Sequence, residues 1–198
     1  DASTPAATSI APSEFARQIG HLEAEGFRVV PLLELLDALA AGNPVADKSV
    51  AITFDDAYTS VLTEATPLLR ERGWPFTVFV NTGAVDDGFR GYLSWDQLRE
   101  VGAAGGAIGN HSVSHAHLVR QGDDESAAEY RQRISSEIDD AAARLEAELG
   151  DFTIPVFAWP YGEYSDPLRR MLEERGLYGM GQHSGAVGGG SDFLALPR

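Results

Sequence analysis

Short runs of β-branched and aromatic residues alternate with amphipathic stretches along most of this sequence. The predicted strands cover 27–30, 50–54, 76–80, 107–109, 154–158, 178–181 and 193–196, and the predicted helices cover 13–26, 32–39, 62–72, 94–103, 125–149 and 167–175. This alternation is typical of an α/β protein with a mainly parallel sheet covered by helices. A closed barrel and an open doubly wound sheet both fit the pattern.

Polar and aromatic residues follow the carboxyl end of three predicted strands. They are Asp55-Asp56, Asn110-His111 and Trp159-Pro160-Tyr161. Barrel enzymes build their sites on that face of the sheet. We therefore expect a deformed or incomplete (β/α) barrel of parallel strands wrapped by helices. Residues 1–198 fit one domain of this kind, in which an N-terminal strand is expected to be missing.

Composition excludes several classes of function. The chain has no cysteine, so any metal must be held by histidine and carboxylate ligands. With 15 basic and 30 acidic residues its formal net charge is −15, which disfavours a nucleic acid partner. No apolar run is long enough to span a bilayer. The sequence starts at Asp1 rather than Met, and we expect a mature or trimmed monomer that acts outside the cytoplasm.

The acidic pair Asp55-Asp56 comes directly after the apolar strand 50–54. Neighbouring side chains at a strand end point in different directions, so the two carboxylates can take different roles. One can bind a metal while the other faces an attacking water. A turn with two solvated acids explains the same pattern.

Two histidines, His111 and His115, are separated by three residues. On a helical turn, residues four apart share a face, so both imidazoles can reach one ion. Two imidazoles and one carboxylate suit zinc or a similar divalent ion, with nickel and cobalt as alternatives. The residues between the histidines include no glutamate, so Asp55 is the candidate general base.

The third feature is the turn Trp159-Pro160-Tyr161-Gly162 after the strand 154–158. Such a turn can present a backbone N–H to an oxyanion, and its aromatic rings can stack on sugars. Both this turn and Trp95-Asp96, at a predicted helix start, have two interpretations. Their aromatic residues are either structural or part of a substrate-binding surface.

Together, the motifs Thr53-Phe54-Asp55-Asp56, His111-Ser112-Val113-Ser114-His115 and Trp159-Pro160-Tyr161-Gly162 resemble the NodB-homology domain of the carbohydrate esterase family 4 polysaccharide deacetylases. The resemblance implies a deformed (β/α) barrel that removes acetyl groups from a carbohydrate. It also implies that Asp55 is the base, that Asp56, His111 and His115 bind the metal, and that the motif around Tyr161 lines the substrate groove.

One departure from the family pattern indicates a branch. Ala158 occupies the position of the usual third-motif arginine. With Leu93-Ser94-Trp95-Asp96 and Ala195-Leu196-Pro197-Arg198, this looks like the branch that de-N-acetylates poly-β-1,6-N-acetylglucosamine. We therefore expect substrate contacts from these segments and from the third motif, namely from Trp95, Asp96, Trp159, Pro160, Tyr161 and Arg198.

The general acid is the missing part of the pattern. The chain has no late Leu-x-His, and in the resembled branch an early histidine takes this role. We expect the acid upstream of Asp1, with His183 as a reserve candidate and an inactive site as the third possibility. The same motifs also fit a deacetylase of chitin oligosaccharide, peptidoglycan or xylan, a non-catalytic carbohydrate-binding relative, and an unrelated metal hydrolase.

Overall fold

The computed structural model describes residues 9–198. The helices are α1 Pro12–Ala24, α2 Leu32–Ala40, α3 Thr66–Glu71, α4 Thr82–Asp86, α5 Trp95–Ala103, α6 Ala127–Leu149 and α7 Asp166–Glu173. The strands are β1 Arg28–Val29, β2 Ser49–Val50, β3 Thr53–Phe54, β4 Phe76–Val80, β5 Gly106–Asn110, β6 Thr153–Ala158 and β7 Tyr178–Met180. The predicted alternation of strands and helices is confirmed along this range.

The strands form a parallel half-barrel wrapped by helices. A five-stranded sheet has the order β3-β4-β5-β6-β7, and β1 and β2 pair with each other in a two-stranded sheet. All of these pairings are parallel. The α/β class and the incomplete barrel predicted from the sequence are therefore confirmed.

The sheet is packed on both faces because its central strands are apolar on both sides. In β4, Phe76, Val78 and Val80 pack outward against helices, whereas Phe79 points into the half-barrel. The outer helices bury two apolar clusters against the sheet, one centred on β4 and β5 and one on β6. A third, interior cluster joins Leu32 and Leu36 of α2 to residues of β4, β6 and β7.

Several predicted boundaries are wrong. The predicted strand 50–54 is divided into β2 and β3, which belong to different sheets. The predicted strand 193–196 contributes only an isolated bridge, between Leu196 and Met180. The predicted helix 62–72 begins as a π-helix over Val61–Ala65, and the short helix α4 is absent from the prediction. The capping box of Ser94 and Gln97 at α5 is confirmed.

None of the helices within residues 9–198 combines the length and the apolar character needed to cross a membrane.

Candidate active site

The acidic pair lies in a tight turn directly after β3. Asp56 and the buried Ala57 both have left-handed backbones, with φ of 70° and 54°. Left-handed conformations cost energy for residues other than glycine and tend to persist where the surrounding structure fixes a functional geometry. Here they turn Asp56 toward the two histidines, while Asp55 faces another part of the chain.

Asp55 is held by the guanidinium group of Arg198. The Arg198 Nη1 and Nη2 atoms donate to the two carboxylate oxygens at 2.7 and 2.8 Å, and the Gln182 amide lies 3.5 Å from one of them. Burial alone raises the pKa of the Asp55 carboxyl, but the Arg198 hydrogen bonds and charge outweigh it and hold this pKa below its usual range. Asp55 is therefore ionised and fixed in orientation, as a general base requires.

His111 and His115 do not lie on a helical turn, so the predicted reason for their convergence is wrong. They lie in a loop after β5, in which Ser112 and His115 have left-handed backbones. The Nδ1 atom of the fully buried His111 is 2.8 Å from the carbonyl oxygen of Ala158. Since a carbonyl only accepts, Nδ1 carries the proton and Nε2 offers a lone pair.

The two imidazoles and Asp56 form a compact group of candidate metal ligands. Asp56 Oδ1 is 3.6 Å from His111 Nε2 and 3.3 Å from His115 Nε2. One donor atom from each residue lies within 4.8 Å of the others. Burial is the main cause that lowers the pKa of His115, and its electrostatic coupling to His111 acts in the same direction. The lowered pKa favours the neutral imidazole that metals bind.

These residues pass a physical test for a divalent cation. Asp56 Oδ1 and His111 Nε2 are buried acceptors that have no hydrogen-bond partner among residues 9–198. Two unpaired acceptors side by side are costly, and a cation would satisfy both. Neutral nitrogen and carboxylate donors in this number fit zinc and similar ions.

The loop that carries the histidines is fixed by hydrogen bonds from three directions. Asn110 accepts from the Ser112 N–H and donates to the Ile138 carbonyl, and the Ser112 hydroxyl accepts from the His115 N–H. Glu137 of α6 accepts from the Val113 and Ser114 N–H groups and from the Ser114 hydroxyl. The first residues of α4 donate to the Ser112 and Val113 carbonyls. The loop is thus held in place by the fold itself.

Tyr161 borders the histidine loop and is about half exposed. Its backbone is left-handed, with φ of 58°. Its ring meets the His115 ring edge-on, with centroids 4.6 Å apart, and stacks on His117 at 3.9 Å. Glu163 is hydrogen-bonded to His117 at 2.8 Å. Tyr161 is therefore placed beside the candidate metal ligands, as its motif predicts.

The other predicted substrate contacts of the third motif are not accessible. Trp159 is fully buried, and its indole N–H donates to the Leu194 carbonyl. Pro160 is also buried. The prediction that these two side chains contact substrate is therefore wrong, because they belong to the core beneath the site.

Trp95 contacts neighbouring helices, whereas Asp96 pairs within its own helix. The Trp95 indole donates to Asp86 at 2.9 Å, and the Arg144 guanidinium lies over its ring. Asp96 is highly exposed and pairs with Arg99 on the same helix. The Trp95 contacts join the end of α4 to the start of α5.

His183, the reserve acid candidate, is exposed to solvent. Its carbonyl accepts from the Arg198 backbone N–H at 2.9 Å, so its backbone lies beside the residue that holds Asp55. Its ring lies 6.4 Å from that of Tyr164.

Sequence reasoning missed the contacts that link the site to distant parts of the chain. Arg198 is predicted as a substrate contact, but it binds Asp55. The late segment Ala195-Leu196-Pro197-Arg198 drew attention to this arginine, but nothing in it indicated a contact with Asp55. Glu137 had no comparable signal, since it is one of many acids on a charged helix.

Comparisons with known proteins give a consistent result. The family model described as "Polysaccharide deacetylase" matches residues 42–180. The poly-beta-1,6-N-acetyl-D-glucosamine N-deacetylase of Escherichia coli K12 is 25% identical over 96% of this chain and 33% of its own length. The chain therefore spans about a third of that relative.

Two solved structures are similar over almost the whole chain. IcaB from Ammonifex degensii is 28% identical, with a TM-score of 0.82, over 96% of this chain and 83% of its own. The Streptococcus pyogenes deacetylase PplD, in complex with acetate, is 25% identical, with a TM-score of 0.84, over 98% and 85%. The matched family range contains all three site motifs, and this chain belongs to the polysaccharide deacetylase family.

Proposed function

We propose that this chain is a metal-dependent hydrolase that removes N-acetyl groups from a glucosamine polysaccharide, and specifically from poly-β-1,6-N-acetylglucosamine. The observation that carries the proposal is the pairing of two distinct groups. An ionised Asp55 is fixed by Arg198, and it adjoins an Asp56, His111 and His115 cluster with unpaired acceptor atoms. A base beside a cation site suits metal-assisted hydrolysis of an amide.

The choice of polymer is supported by the relatives. The E. coli relative is named for poly-β-1,6-N-acetylglucosamine, and the similar PplD structure holds acetate, the product that deacetylation releases. The late segment Ala195-Leu196-Pro197-Arg198 adds support, because together with Ala158 it resembles the branch that acts on this polymer. Since such a polymer is an extracellular material, we also propose that the chain acts outside the cytoplasm as a monomer.

In the proposed reaction Asp55 takes the proton of a water that attacks the acetyl carbonyl carbon. Arg198 keeps the Asp55 carboxylate ionised and aimed during this step. A divalent ion held by Asp56, His111 and His115 would act as a Lewis acid that polarises the carbonyl. The backbone at Tyr161 is the proposed second contact of the oxyanion. Breakage of the C–N bond then gives acetate and a free amine, to which an acid returns a proton.

The test is acetate release from β-1,6-linked N-acetylglucosamine oligomers, before and after dialysis against a chelator. We expect chelation to abolish release and added zinc to restore it. We expect Asp55→Asn to lose about 10²–10⁴-fold in kcat while it keeps its bound metal. Release that survives complete metal removal would contradict the metal-dependent mechanism.

The same assay separates the rival substrates. Acetate release from chitin oligosaccharide, peptidoglycan or acetylated xylan, and not from the β-1,6 oligomer, would keep the chemistry and change the polymer. Polymer binding without acetate release from any of the four would instead indicate a carbohydrate-binding relative.

A further inference from the structure

Three aromatic side chains lie together at one side of the acidic turn. The Tyr58 and Tyr92 ring centroids are 4.8 Å apart, and those of Tyr92 and Phe89 are 6.3 Å apart. Phe89 is 55% exposed and Tyr58 is 38% exposed. A single exposed aromatic residue is ordinary, but a contiguous group of exposed rings is typical of a binding surface.

The backbone fixes these rings relative to the site. Tyr58 and Tyr92 form an antiparallel bridge. On either side of it the Thr59 N–H donates to the Gly91 carbonyl at 2.8 Å, and the Leu93 N–H donates to the Ala57 carbonyl at 2.9 Å. The segment that carries the rings is thus attached directly to the turn after Asp55 and Asp56.

The group also adjoins the acidic pair along the chain. Tyr58 is two residues after Asp56. The Tyr58 and Tyr92 hydroxyl oxygens lie 3.5 Å apart, at the edges of the paired rings. Apolar ring faces with hydroxyl groups at their edges match a pyranose, which has C–H groups on its faces and hydroxyls around its rim.

We propose that Tyr58, Tyr92 and Phe89 form an aromatic platform on which a sugar ring of the polysaccharide stacks, next to the unit that loses its acetyl group. The inference rests on the proposed function and names a second contact with the same substrate. It assigns Phe89, which packs on nothing but Tyr92 among the described aromatic rings, a role in binding rather than in folding.

The experiment measures binding without turnover. The dissociation constant of a β-1,6-linked N-acetylglucosamine pentamer is determined by calorimetry in the Asp55→Asn background. Phe89→Leu, which keeps an apolar side chain and removes the flat ring, should weaken binding about two- to tenfold. Phe89→Trp should keep it within about twofold. Tyr92→Leu and Tyr92→Phe form a second pair with the same expectation.

The matched control is Phe27→Leu. Phe27 lies at the amino end of β1, away from the carboxyl ends of the strands, and packs under Lys48. The Phe27→Leu variant should bind the pentamer with unchanged affinity. Equal affinity of the Phe89→Leu variant and its parent would overturn the platform. So would a loss of binding to phosphatidylglycerol vesicles in Phe89→Leu at unchanged pentamer affinity, since the rings would then contact a membrane.

The two proposals fail in different ways. Failure of the proposed function appears as no acetate release by the unmodified protein. Failure of the platform appears as an unchanged dissociation constant in Phe89→Leu, whatever the turnover.

Discussion

Arg198 binds both carboxylate oxygens of Asp55 across 143 positions of sequence. Asp55 follows β3 at one edge of the five-stranded sheet, and the segment before Arg198 bridges to β7 at the other edge. In a flat sheet, four strand spacings of about 4.8 Å would keep these edges about 19 Å apart. The ion pair therefore requires the sheet to curl, and it closes the carboxyl-end rim of the half-barrel by charge rather than by strand pairing.

The first prediction is that Arg198 acts through Asp55. Arg198→Gln should lower kcat by about 10–100-fold, because the base loses its fixed orientation and its charge partner. In the Asp55→Asn background, Arg198→Gln should lower kcat almost no further. The effects of substitutions in residues that act as a unit are not additive. Single-turnover acetate release from both single variants and the double variant measures this. Additive losses would mean that Arg198 contacts the substrate independently.

The second prediction concerns the histidine ligands. Substitution of a residue that supports the ligands from outside the ligand set typically weakens metal binding about 10–100-fold. His111→Ala and His115→Ala should each weaken zinc binding by more than this, because each removes a ligand. Competition against a chromogenic chelator measures the affinity. The control is His21→Ala, an exposed histidine of α1, which should bind zinc like the unmodified protein. Unchanged affinity in both ligand variants would remove them from the site.

The third prediction tests the support of the histidine loop. Glu137→Ala should weaken zinc binding about 10–100-fold, because two backbone N–H groups and a hydroxyl of the loop lose their common acceptor. Glu137→Gln, which keeps one acceptor oxygen, should lose less. Asp140→Asn, an exposed acid three residues along α6, is the matched control. A loss of thermal stability without a change in zinc affinity would contradict this role.

The fourth prediction concerns the missing acid. His183→Ala should reduce kcat less than about threefold, because the exposed imidazole is tied to the site only through its backbone carbonyl. Steady-state acetate release at several pH values measures this. A large loss of kcat, together with a lost basic limb in the pH profile, would instead make His183 the proton donor.

The fifth prediction uses a pair remote from the site. The Arg175 guanidinium donates to both carboxylate oxygens of Asp139 and lowers its pKa below the ordinary value. A lowered folded-state pKa stabilises the protein above the unfolded pKa, and this contribution is lost as the pH falls through the folded pKa. Asp139→Asn should therefore cost up to about 1 kcal/mol at pH 7, a small amount because the pair is exposed. The difference should vanish near pH 2, as urea unfolding at both pH values would reveal.

The sequence predicted the parts of the site that follow strands directly. Asp55, Asp56 and His111 come at the carboxyl ends of apolar strands, where local pattern and fold class are sufficient to place them. The contact of Arg198 with Asp55 and the role of Glu137 were not predicted, because each residue acts on a partner far away in sequence. Their contacts depend on the curl of the sheet and on the packing of α6, which no local pattern encodes.

The remaining errors came from features with two interpretations. An aromatic residue after a strand suits a substrate groove and a core equally well, and Trp159 belongs to the core. The spacing of His111 and His115 suits a helical turn, but the left-handed Ser112 breaks the helix. That conformation is supported by the hydrogen bond from Ser112 to Asn110, which the spacing of the histidines does not reveal.

The interior cluster has a consequence for the order of folding. It joins α2 near the beginning of the chain to β6, β7 and Leu196 near its end, whereas neighbouring strands such as β4 and β5 pair over short separations. Contacts between distant segments pay a larger loop-closure entropy and form later. We therefore expect the central strands and outer helices to assemble first. Substitutions at Leu36 or Leu196 would then slow the final step that creates a competent site, although neither residue takes part in the chemistry.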